Sequence, residues 1–489
     1  MPVPSPSSAS RGAFTEWITA WTVVCVAVTA ACGGSGGDTE LITTAPVAPA
    51  LQPVASVTVA PGALPLAVGG TQQLTATLRD AAGNTLAART VAWASSANSV
   101  ATVSPSGLVT GVAAGTATIT AVSEGKSGGV TSTVPGAVAT FATIAAGGNH
   151  ACGLTSSGAA FCWGNNAWGQ LGDGMLTTRS SPTAVSGGIV FTGLTAGDYH
   201  TCGLTATGAA YCWGYDFNGQ LGDGTTTDRS TPAPVVGAAA FAGLAAGYWH
   251  TCGVTTRGGA LCWGYGLTGQ LGDGTMSDIG VPATVAGGAE FASVTAGYWH
   301  SCGVTKGGTA YCWGNNNWGQ LGDSTRSINR PTPVPIAASA LFASISAGGR
   351  HSCGLTTPGA AYCWGYGVFG QLGNGAATTL LSPTAVAGGH GFARLSAGWY
   401  HTCALTMAGA AYCWGNNDRG QLGDGTTTSR VSPVLVAGGL VFADLSAAID
   451  YTCGRTVGGA TYCWGNGLDG QLGDGASVNR SVPSPVTRP

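Results

Sequence analysis

Histidine, cysteine and aspartate are the residues of this chain whose types could support chemistry, and they recur together at a fixed interval. In six of the seven recurrences a histidine stands two residues before a cysteine. A second cysteine follows ten residues later, and eleven residues beyond it lies an aspartate in every unit except the fifth, which has Asn374. Such sets could ligate a metal ion, act in acid–base catalysis or form disulfides. The histidines are His150, His200, His250, His300, His351 and His401, and Tyr451 takes the seventh position.

The repetition argues against catalysis by these histidines. An active site needs a unique nucleophile or ligand set, whereas six copies of one residue indicate a structural hydrogen bond in each repeat unit. The chain contains no H-E-x-x-H motif, no G-x-S-x-G motif and no phosphate-binding glycine loop. We therefore predict no catalytic residue, no metal and no cofactor. Metal binding or acid–base work by the histidines is the alternative.

The paired cysteines flank a short hairpin. Gly158 lies where a three-residue turn needs a left-handed third residue, and counting back from that turn places the two cysteines opposite each other, close enough for a disulfide. Metal ligation, the alternative, would favour a C-x-x-C motif or converging histidines. The predicted pairs are Cys152 with Cys162, Cys202 with Cys212, Cys252 with Cys262, Cys302 with Cys312, Cys353 with Cys363, Cys403 with Cys413, and Cys453 with Cys463.

The interval that positions these residues is itself a fold signal. The first cysteines of successive units lie 50 or 51 residues apart, and each of the seven units contains about four short apolar runs separated by glycine-rich turns. A period of that length built from short strands is typical of a β-propeller blade. We predict an all-β protein in which residues 136–489 form a seven-bladed β-propeller.

The motif G-Q-L-G-(D/N) after C-W-G, with A-G-x-x-H before it, resembles the repeats of the regulator of chromosome condensation family, whose fold is a seven-bladed propeller. The constant period leaves no room for the inserted hairpin that the nucleotide-exchange member of that family uses. The arginine of the photoreceptor motif G-W-R-H-T is also missing. A secreted β-lactamase inhibitor has this type of propeller, so the resemblance implies a scaffold that can bind another protein.

The start of the chain resembles a bacterial export signal. An apolar run follows Arg11 and ends in Ala30-Ala31-Cys32, which is similar to the lipobox of bacterial lipoproteins. We predict a signal peptide with lipobox over 1–32, lipidation of Cys32, membrane attachment through that lipid and a flexible tether over 33–51. Simple secretion and an uncleaved anchor are the alternatives, and each places the protein outside the cytoplasm.

Residues 52–134 alternate apolar and polar residues between turn signals, which predicts a small β-sandwich. The stretch VAWASSANSVATVS and the following GLVTGVAAGTATITA resemble the bacterial group 2 immunoglobulin-like domain, with Trp93 as its core tryptophan. In that family the module is commonly a spacer or an adhesive unit on cell surfaces, and we favour the spacer.

Charge excludes one class of partner. Only 8% of the residues are charged, the formal net charge is −3 and no basic cluster occurs. A phosphate backbone requires a basic surface, so we predict that the protein does not bind nucleic acid.

The loop after each C-W-G carries two further signals. Its second residue is asparagine, aspartate or glycine, for example Asn166, and these types tolerate positive φ, so we predict a positive-φ turn there. The acidic residue of the loop is followed six or seven residues later by arginine in five units, as in Asp173 and Arg179. We predict that this pair closes its own loop.

A binding surface is predicted where the units differ. Neighbouring antiparallel strands alternate in direction, so the turn before each histidine and the loop after each C-W-G lie on one face. Aromatic residues vary between units at both places, which is typical of a recognition surface. The predicted binding residues are Tyr199, Tyr248, Trp249, Tyr298, Trp299, Arg350, Trp399, Tyr400, Trp168 and Trp318.

These patterns predict a non-enzymatic cell-surface or secreted protein whose partner is an extracellular protein. A glycan-binding module is the second class, because exposed aromatic rings also bind sugars, and an enzyme that uses the propeller channel is the third. The charges of Arg350 and Asp198 within the face favour protein over sugar. The competing interpretation is that the rings only fill space between blades.

Overall fold

The computed structural model describes residues 51–66, 69–113, 115–134, 138–237 and 239–488. The predicted signal peptide, Cys32 and nearly all of the predicted tether lie outside these residues. The described elements are β-strands in repeated small sheets, which agrees with the predicted all-β class. Within the described residues, no helix has the length and apolar character needed to cross a membrane.

The N-terminal strands form a β-sandwich of the immunoglobulin-like type. Its sheets have the orders β2-β9-β8-β5, β3-β7-β6 and β1-β4. Trp93 is half-buried and packs against the two apolar clusters of this domain. The strands are Ser56–Ala60 (β1), Leu64–Pro65 (β2), Thr71–Gln73 (β3), Thr75–Arg79 (β4), Ala92–Ser95 (β5), Ala101–Val103 (β6), Leu108–Gly111 (β7), Gly115–Ser123 (β8) and Lys126–Val134 (β9).

The rest of the described chain forms seven antiparallel sheets of four strands, one for each repeat unit and each in simple chain order. The first four blades are Thr143–Ala146 (β10), His150–Leu154 (β11), Ala160–Gly164 (β12), Arg179–Ala184 (β13); Gly193–Ala196 (β14), His200–Leu204 (β15), Ala210–Gly214 (β16), Arg229–Pro234 (β17); Phe241–Ala246 (β18), His250–Thr255 (β19), Ala260–Gly264 (β20), Ile279–Thr284 (β21); Phe291–Ala296 (β22), His300–Thr305 (β23), Ala310–Gly314 (β24), Arg330–Pro335 (β25). The last three are Phe342–Ala347 (β26), His351–Thr356 (β27), Ala361–Gly365 (β28), Leu380–Ala385 (β29); Phe392–Ala397 (β30), His401–Thr406 (β31), Ala411–Gly415 (β32), Arg430–Leu435 (β33); Phe442–Ala447 (β34), Tyr451–Thr456 (β35), Thr461–Gly465 (β36), Arg480–Pro485 (β37).

The hairpin between the second and third strands has the predicted geometry. Gly158 has φ 82°, and its N–H donates to the carbonyl of Thr155 at 3.0 Å. The Thr155 N–H donates to the carbonyl of Ala159, which closes a three-residue loop. This register places Cys152 directly opposite Cys162.

The apolar core lies between adjacent blades. The tryptophan of each C-W-G motif is completely buried and packs against the cysteines and the G-Q-L-G leucine of the preceding unit, as Trp364 does against Cys312 and Leu321. Gly322 is constrained by this packing, because a Cβ at that position would lie 2.6 Å from the Trp364 Nε1 atom. The repeated C-W-G and G-Q-L-G motifs are therefore the two halves of one interface.

The two ends of the propeller pair with each other. The Ala139 N–H donates to the carbonyl of Val486 at 2.8 Å, and the Ala139 carbonyl accepts from the Thr461 N–H at 3.0 Å. In the core beneath, Trp163 Nε1 donates to the Gln471 carbonyl at 3.0 Å. The first residues of the propeller thus add to the seventh blade and close the ring.

Candidate binding face

The repeated histidines join neighbouring blades. Each one is fully buried, and its Nε2 atom lies 2.8 or 2.9 Å from a serine or threonine hydroxyl of the next unit, as His200 lies from Thr251. Burial lowers the pKa of His200 to about 3, so the ring is neutral at physiological pH. A buried neutral imidazole with a fixed partner suits a structural role, which agrees with the predicted hydrogen bond in each unit.

The Thr251 hydroxyl determines which nitrogen of the neutral His200 imidazole carries the proton. Thr251 Oγ1 donates its proton to the Gln220 carbonyl at 2.9 Å, so it must accept from His200 at Nε2. The same Gln220 carbonyl accepts from Trp263 Nε1 at 3.0 Å. Histidine, hydroxyl, glutamine carbonyl and tryptophan therefore form one buried network across each of these interfaces.

The interface between the seventh and first units uses a different pair of residues. Ala151 occupies the position of the hydroxyl residue and Tyr451 that of the histidine. The Tyr451 hydroxyl donates instead to the backbone carbonyl of His150. Sequence reasoning missed this compensation, although both exceptions are visible in the repeat and fall in the two terminal units.

The fourteen cysteines of the described residues form seven disulfides, one within each hairpin. Each joins residues ten positions apart, with Cα atoms 4.0 or 4.1 Å from each other. Among the described residues, no group of three or more histidines, cysteines and carboxylates is placed to hold a metal ion. The recurring residues therefore build the blades, and a recognition site must be sought elsewhere.

The predicted positive φ after C-W-G is wrong. Positive φ occurs at the motif's own glycine, Gly164, and at Gly169, while Asn166 adopts an ordinary conformation. The buried Asn166 amide donates to Asp173 Oδ1 and to the Met175 carbonyl, both at 3.0 Å. The side chain of Asn166, rather than its backbone, thus explains the choice of residue.

In the units where glycine replaces this asparagine, backbone of the same loop occupies the space that the asparagine side chain takes in the other units. A Cβ at Gly266 would lie 1.9 Å from the Ser277 carbonyl oxygen. The predicted loop closure by arginine and aspartate is present: Arg330 Nη2 lies 2.9 Å from Asp323 Oδ2, and equivalent pairs occur in the other four units that carry both charges. These loops are therefore fixed platforms for the residues at their tips.

The turns before the histidines surround the mouth of the central channel. Six inter-blade hydrogen bonds run around this mouth, each from the N–H of the first turn residue to a carbonyl of the next unit, as from Tyr248 to Gly297 at 3.2 Å. The first turn residues line a pocket of about 110 Å³, and the second turn residues are not part of its lining. The first turn residues are Gly148, Asp198, Tyr248, Tyr298, Gly349, Trp399 and Ile449.

The aromatic rings of these turns pack against one another across the mouth. Tyr248 stacks on Tyr298 with ring centroids 3.6 Å apart, and Tyr298 stacks on Trp399 at 5.0 Å. Trp249 and Trp299 contact the tyrosines that precede them. The six residues at the centre of the predicted site are all partly exposed: Tyr248, Trp249, Tyr298, Trp299, Trp399 and Tyr400.

The loops after C-W-G extend this surface outward. Trp168, which is 42% exposed, contacts Tyr215 at 4.9 Å, and Trp318 contacts Tyr366 at 4.8 Å. Contacts of Tyr215 with Tyr199 and of Tyr366 with Tyr400 connect both loops to the turns. We call the ten predicted binding residues together with Tyr215, Phe217, Tyr265, Tyr366 and Phe369 the aromatic face.

Arg350 lies among the rings of the aromatic face. Its Cζ atom is 5.5 Å from the Trp318 ring centroid, 5.9 Å from those of Tyr366 and Tyr400, and 6.0 Å from that of Trp299. A guanidinium at this distance is attracted to the negative face of each ring. The structure thus joins all ten predicted residues in one network of ring–ring and cation–ring contacts.

The glycines at the mouth make room for their neighbours. A Cβ at Gly148 would lie 1.6 Å from Asp198 Oδ1, and a Cβ at Gly349 would lie 1.8 Å from Trp399 Cδ1. Side chains of the following unit therefore lean over these glycines. Asp198 is 4% exposed, and burial raises the pKa of its carboxyl group to about 7 despite lowering interactions with the hydroxyls of Tyr199 and Tyr248.

Descriptions of two families match the chain. The bacterial Ig-like domain (group 2) matches residues 53–134. The regulator of chromosome condensation (RCC1) repeat matches seven segments, 157–204, 207–254, 257–304, 307–355, 358–405, 408–457 and 458–489. A second description of the same repeat matches six segments between residues 141 and 421. No curated protein matches the chain.

Several solved structures share the propeller fold. Prp20p from Saccharomyces cerevisiae is 21% identical, with a TM-score of 0.62 over 68% of this chain and 87% of that chain. The complex of Kap60 with yeast RCC1 (Prp20) contains a chain that is 20% identical, with a TM-score of 0.61 over 67% and 83%. Human WBSCR16 is 21% identical, with a TM-score of 0.59 over 66% and 87%. At these identities the likeness concerns the fold alone.

Proposed function

The chain belongs to the regulator of chromosome condensation (RCC1) repeat family, and from this premise we propose that it is a non-enzymatic extracellular protein that binds a protein partner through its aromatic face. The observation that carries the proposal is the network of partly exposed aromatic rings around the channel mouth. The repeated residues beneath it are occupied in joining the blades.

The composition of the aromatic face suits a protein interface. Tryptophan, tyrosine and arginine are enriched among the residues that contribute most to protein–protein affinity, especially where they cluster at the centre of a contact. Trp299 and Tyr400 lie in such a cluster beside the charged Arg350, and Trp249 contacts Tyr248 in the neighbouring part of the same network. Rings that pack edge to face on one another are also pre-organised, which reduces the entropy lost on binding.

A protein partner is favoured over a glycan by the charges in the face. Arg350 and Asp198 stand among the rings, and such mixed character is typical of protein interfaces. The printed descriptions of the neighbouring structures also name protein partners: yeast RCC1 (Prp20) is bound to Kap60, and the study of Prp20p describes its binding to Gsp1p and histones. These partners belong to those proteins, and they support only the use of this scaffold in protein binding.

The proposed location is the outside of a bacterial cell. Seven disulfides persist in oxidising compartments, and the N-terminal domain is of a bacterial immunoglobulin-like type. We propose attachment through lipid on Cys32, with residues 33–51 as a tether. Replacing Cys32 by Ser should abolish incorporation of a labelled fatty acid into the protein, and absence of label from the unmodified protein, or label that persists in this variant, would reject the lipid anchor at Cys32.

The aromatic face is tested by capturing the partner with the full chain from the extracellular fraction of the source organism. The double variant Trp249→Ala/Trp299→Ala should weaken binding of the captured protein more than tenfold, because truncating buried aromatic anchors at an interface typically costs about 2 kcal/mol or more each. Its thermal unfolding should change little, since both side chains are partly exposed.

A control variant changes exposed apolar residues in the hairpins that follow the second strands of the sixth and seventh blades. Met407 and Val457 are 71% and 72% exposed, so Met407→Ala/Val457→Ala removes apolar area away from the aromatic face. This variant should bind like the unmodified protein. Equal binding by the Trp249/Trp299 variant would show that these rings do not contact the partner. A large loss of its stability with affinity retained would show that the rings pack between blades. Capture of glycans instead of protein would reject the protein partner.

A further inference from the structure

Asp198 carries a buried carboxyl group, whereas aspartate side chains are ordinarily exposed to solvent. It is 4% exposed, its nearest polar groups are the hydroxyls of Tyr199 and Tyr248, which do not reach its oxygens with full hydrogen-bond geometry, and none of the ion pairs of the described residues includes it. A buried carboxyl without a full set of partners destabilises a fold, so it is retained where it interacts with something else. Asp198 is one of the residues that line the pocket at the channel mouth, and both of its carboxyl oxygens are buried beside that pocket.

The position is specific to one unit. The equivalent residues of the other six units are uncharged, and Gly148 of the preceding unit leaves the space that the Asp198 carboxyl occupies. A side chain at Gly148 would collide with Oδ1 at 1.6 Å. Glycine in the first unit and aspartate in the second therefore fit each other, and Asp198 is the one acidic group among the seven first turn residues.

Aromatic rings border this carboxyl. Tyr199 follows it in the chain and contacts Tyr248 at 5.9 Å, and Tyr248 stacks on Tyr298 at 3.6 Å. Burial raises the pKa of Tyr298 to about 12 and raises those of Tyr199 and Tyr248 further, so all three hydroxyl groups stay neutral. When the Asp198 carboxyl is ionised, these neutral rings and its negative charge together attract a cation.

Elsewhere in the aromatic face, a similar group of rings already surrounds a cation. There the four rings around Arg350 surround a guanidinium that the chain itself supplies, at 5.5–6.0 Å from their centroids. The side with Asp198 has rings and a carboxyl but no ion pair to it within the described residues. The two halves differ in whether the cation is already present.

The space at the mouth fits the end of one side chain. The pocket of about 110 Å³ is several times the roughly 10–15 Å³ needed to hold one water molecule, and it is bordered by Asp198, Tyr248, Tyr298 and Trp399. Resting on the proposed function, we propose that this mouth receives an arginine side chain of the protein partner, with the guanidinium held by Asp198 and packed against Tyr199, Tyr248 and Tyr298. A planar guanidinium can both pair with a carboxylate and stack on rings, which an ammonium does less well.

The test uses a matched pair of probes with the full chain. N-acetyl-L-arginine methylamide carries the guanidinium, and N-acetyl-L-citrulline methylamide replaces it with a neutral urea group of the same shape. Titration calorimetry should give a Kd of about 1 mM for the arginine probe, the affinity range of a single small contact. The citrulline probe should bind at least tenfold more weakly.

Two isosteric variants assign the preference. Asp198→Asn keeps the shape of the buried side chain and should reduce the affinity for the arginine probe at least tenfold, leaving the two probes nearly equal. Asp450→Asn is the matched control, because Asp450 is the carboxyl of another pre-histidine turn and already interacts with Arg419. It should keep the arginine preference. Equal binding of both probes to the unmodified protein, or an unchanged preference in Asp198→Asn, would overturn the inference.

Failure of this inference is distinguishable from failure of the proposed function. If the arginine probe shows no preference while Trp249→Ala/Trp299→Ala still reduces binding of the captured partner, the cation site is rejected and the aromatic face stands. If that variant binds the partner normally, the proposed function is rejected, whatever the probes show. A lysine probe that binds as well as the arginine probe would reject the choice of guanidinium.

Discussion

The buried network between blades can be tested at Thr251, which is completely buried. Its hydroxyl accepts from His200 Nε2 at 2.8 Å and donates to the Gln220 carbonyl at 2.9 Å. Valine has the shape of threonine without the hydroxyl, so Thr251→Val would leave the His200 N–H buried without a partner. The Gln220 carbonyl would keep its bond from Trp263 Nε1.

The expected loss follows from these contacts. A buried donor left without a partner costs about 1–3 kcal/mol, and the second lost hydrogen bond adds less because its acceptor remains satisfied. We therefore expect Thr251→Val to lower the free energy of unfolding by about 2–3 kcal/mol. Thr251→Ser keeps the hydroxyl and removes one methyl group, for which we expect a loss of about 1 kcal/mol.

Equilibrium urea unfolding with the disulfides intact measures both values. Thr284→Val provides the control, because Thr284 is exposed on an outer strand and its replacement should change stability by less than about 0.5 kcal/mol. The ranking is the decisive result. If Thr251→Ser is more destabilising than Thr251→Val, methyl packing rather than the hydrogen-bond network stabilises the interface, and the reasoning is refuted.

Two further predictions concern the disulfides and Asp198. Replacing Cys252 and Cys262 together by alanine should lower the free energy of unfolding by about 2–3 kcal/mol, the chain-entropy value for a loop closed by residues ten positions apart; a loss below 0.5 kcal/mol would show that the hairpin is already held in the unfolded chain. In the unfolded chain the Asp198 carboxyl ionises at its ordinary pKa, whereas in the folded protein its pKa is about 7. Between these two pKa values the unfolded state binds fewer protons than the folded state, so the free energy of unfolding falls as pH rises. From pH 5 to pH 8 the free energy of unfolding of the unmodified protein should therefore fall relative to that of Asp198→Asn, by about 1.4 kcal/mol for each pH unit below the folded-state pKa. If the two proteins show the same dependence of unfolding free energy on pH, the burial argument is contradicted. The groups that act on Asp198 or lie against it are neutral over this range: His150, Tyr199, Tyr248, Tyr298 and Tyr451.

The fold was predictable because its signals repeat. A single C-W-G or histidine is ambiguous, but seven copies at one interval define the blade, and the position of Gly158 fixes the hairpin register that sets Cys152 against Cys162. The immunoglobulin-like domain was equally visible from its strand pattern. Local geometry that depends on one hairpin can be counted along the chain.

Features that depend on two units at once were harder to predict. The buried state of Asp198 follows from the missing side chain of Gly148, fifty residues away, and the role of Asn166 follows from carbonyl groups nine residues ahead. Repeat analysis compares equivalent positions and does not pair different ones across an interface. The binding role of the aromatic face stays a prediction, since contacts among its rings leave the partner undefined.

The exceptional residues Ala151 and Tyr451 bear on how the number of repeat units can change. Each of the units two to six carries both a histidine and a hydroxyl residue, so a duplicated or deleted copy leaves every imidazole opposite a hydroxyl group. A duplicated first unit would instead set His150 against alanine. The internal units are thus interchangeable genetic modules, while the terminal units are adapted to each other. Recombination that preserves the fold should therefore be confined to the interior of the array.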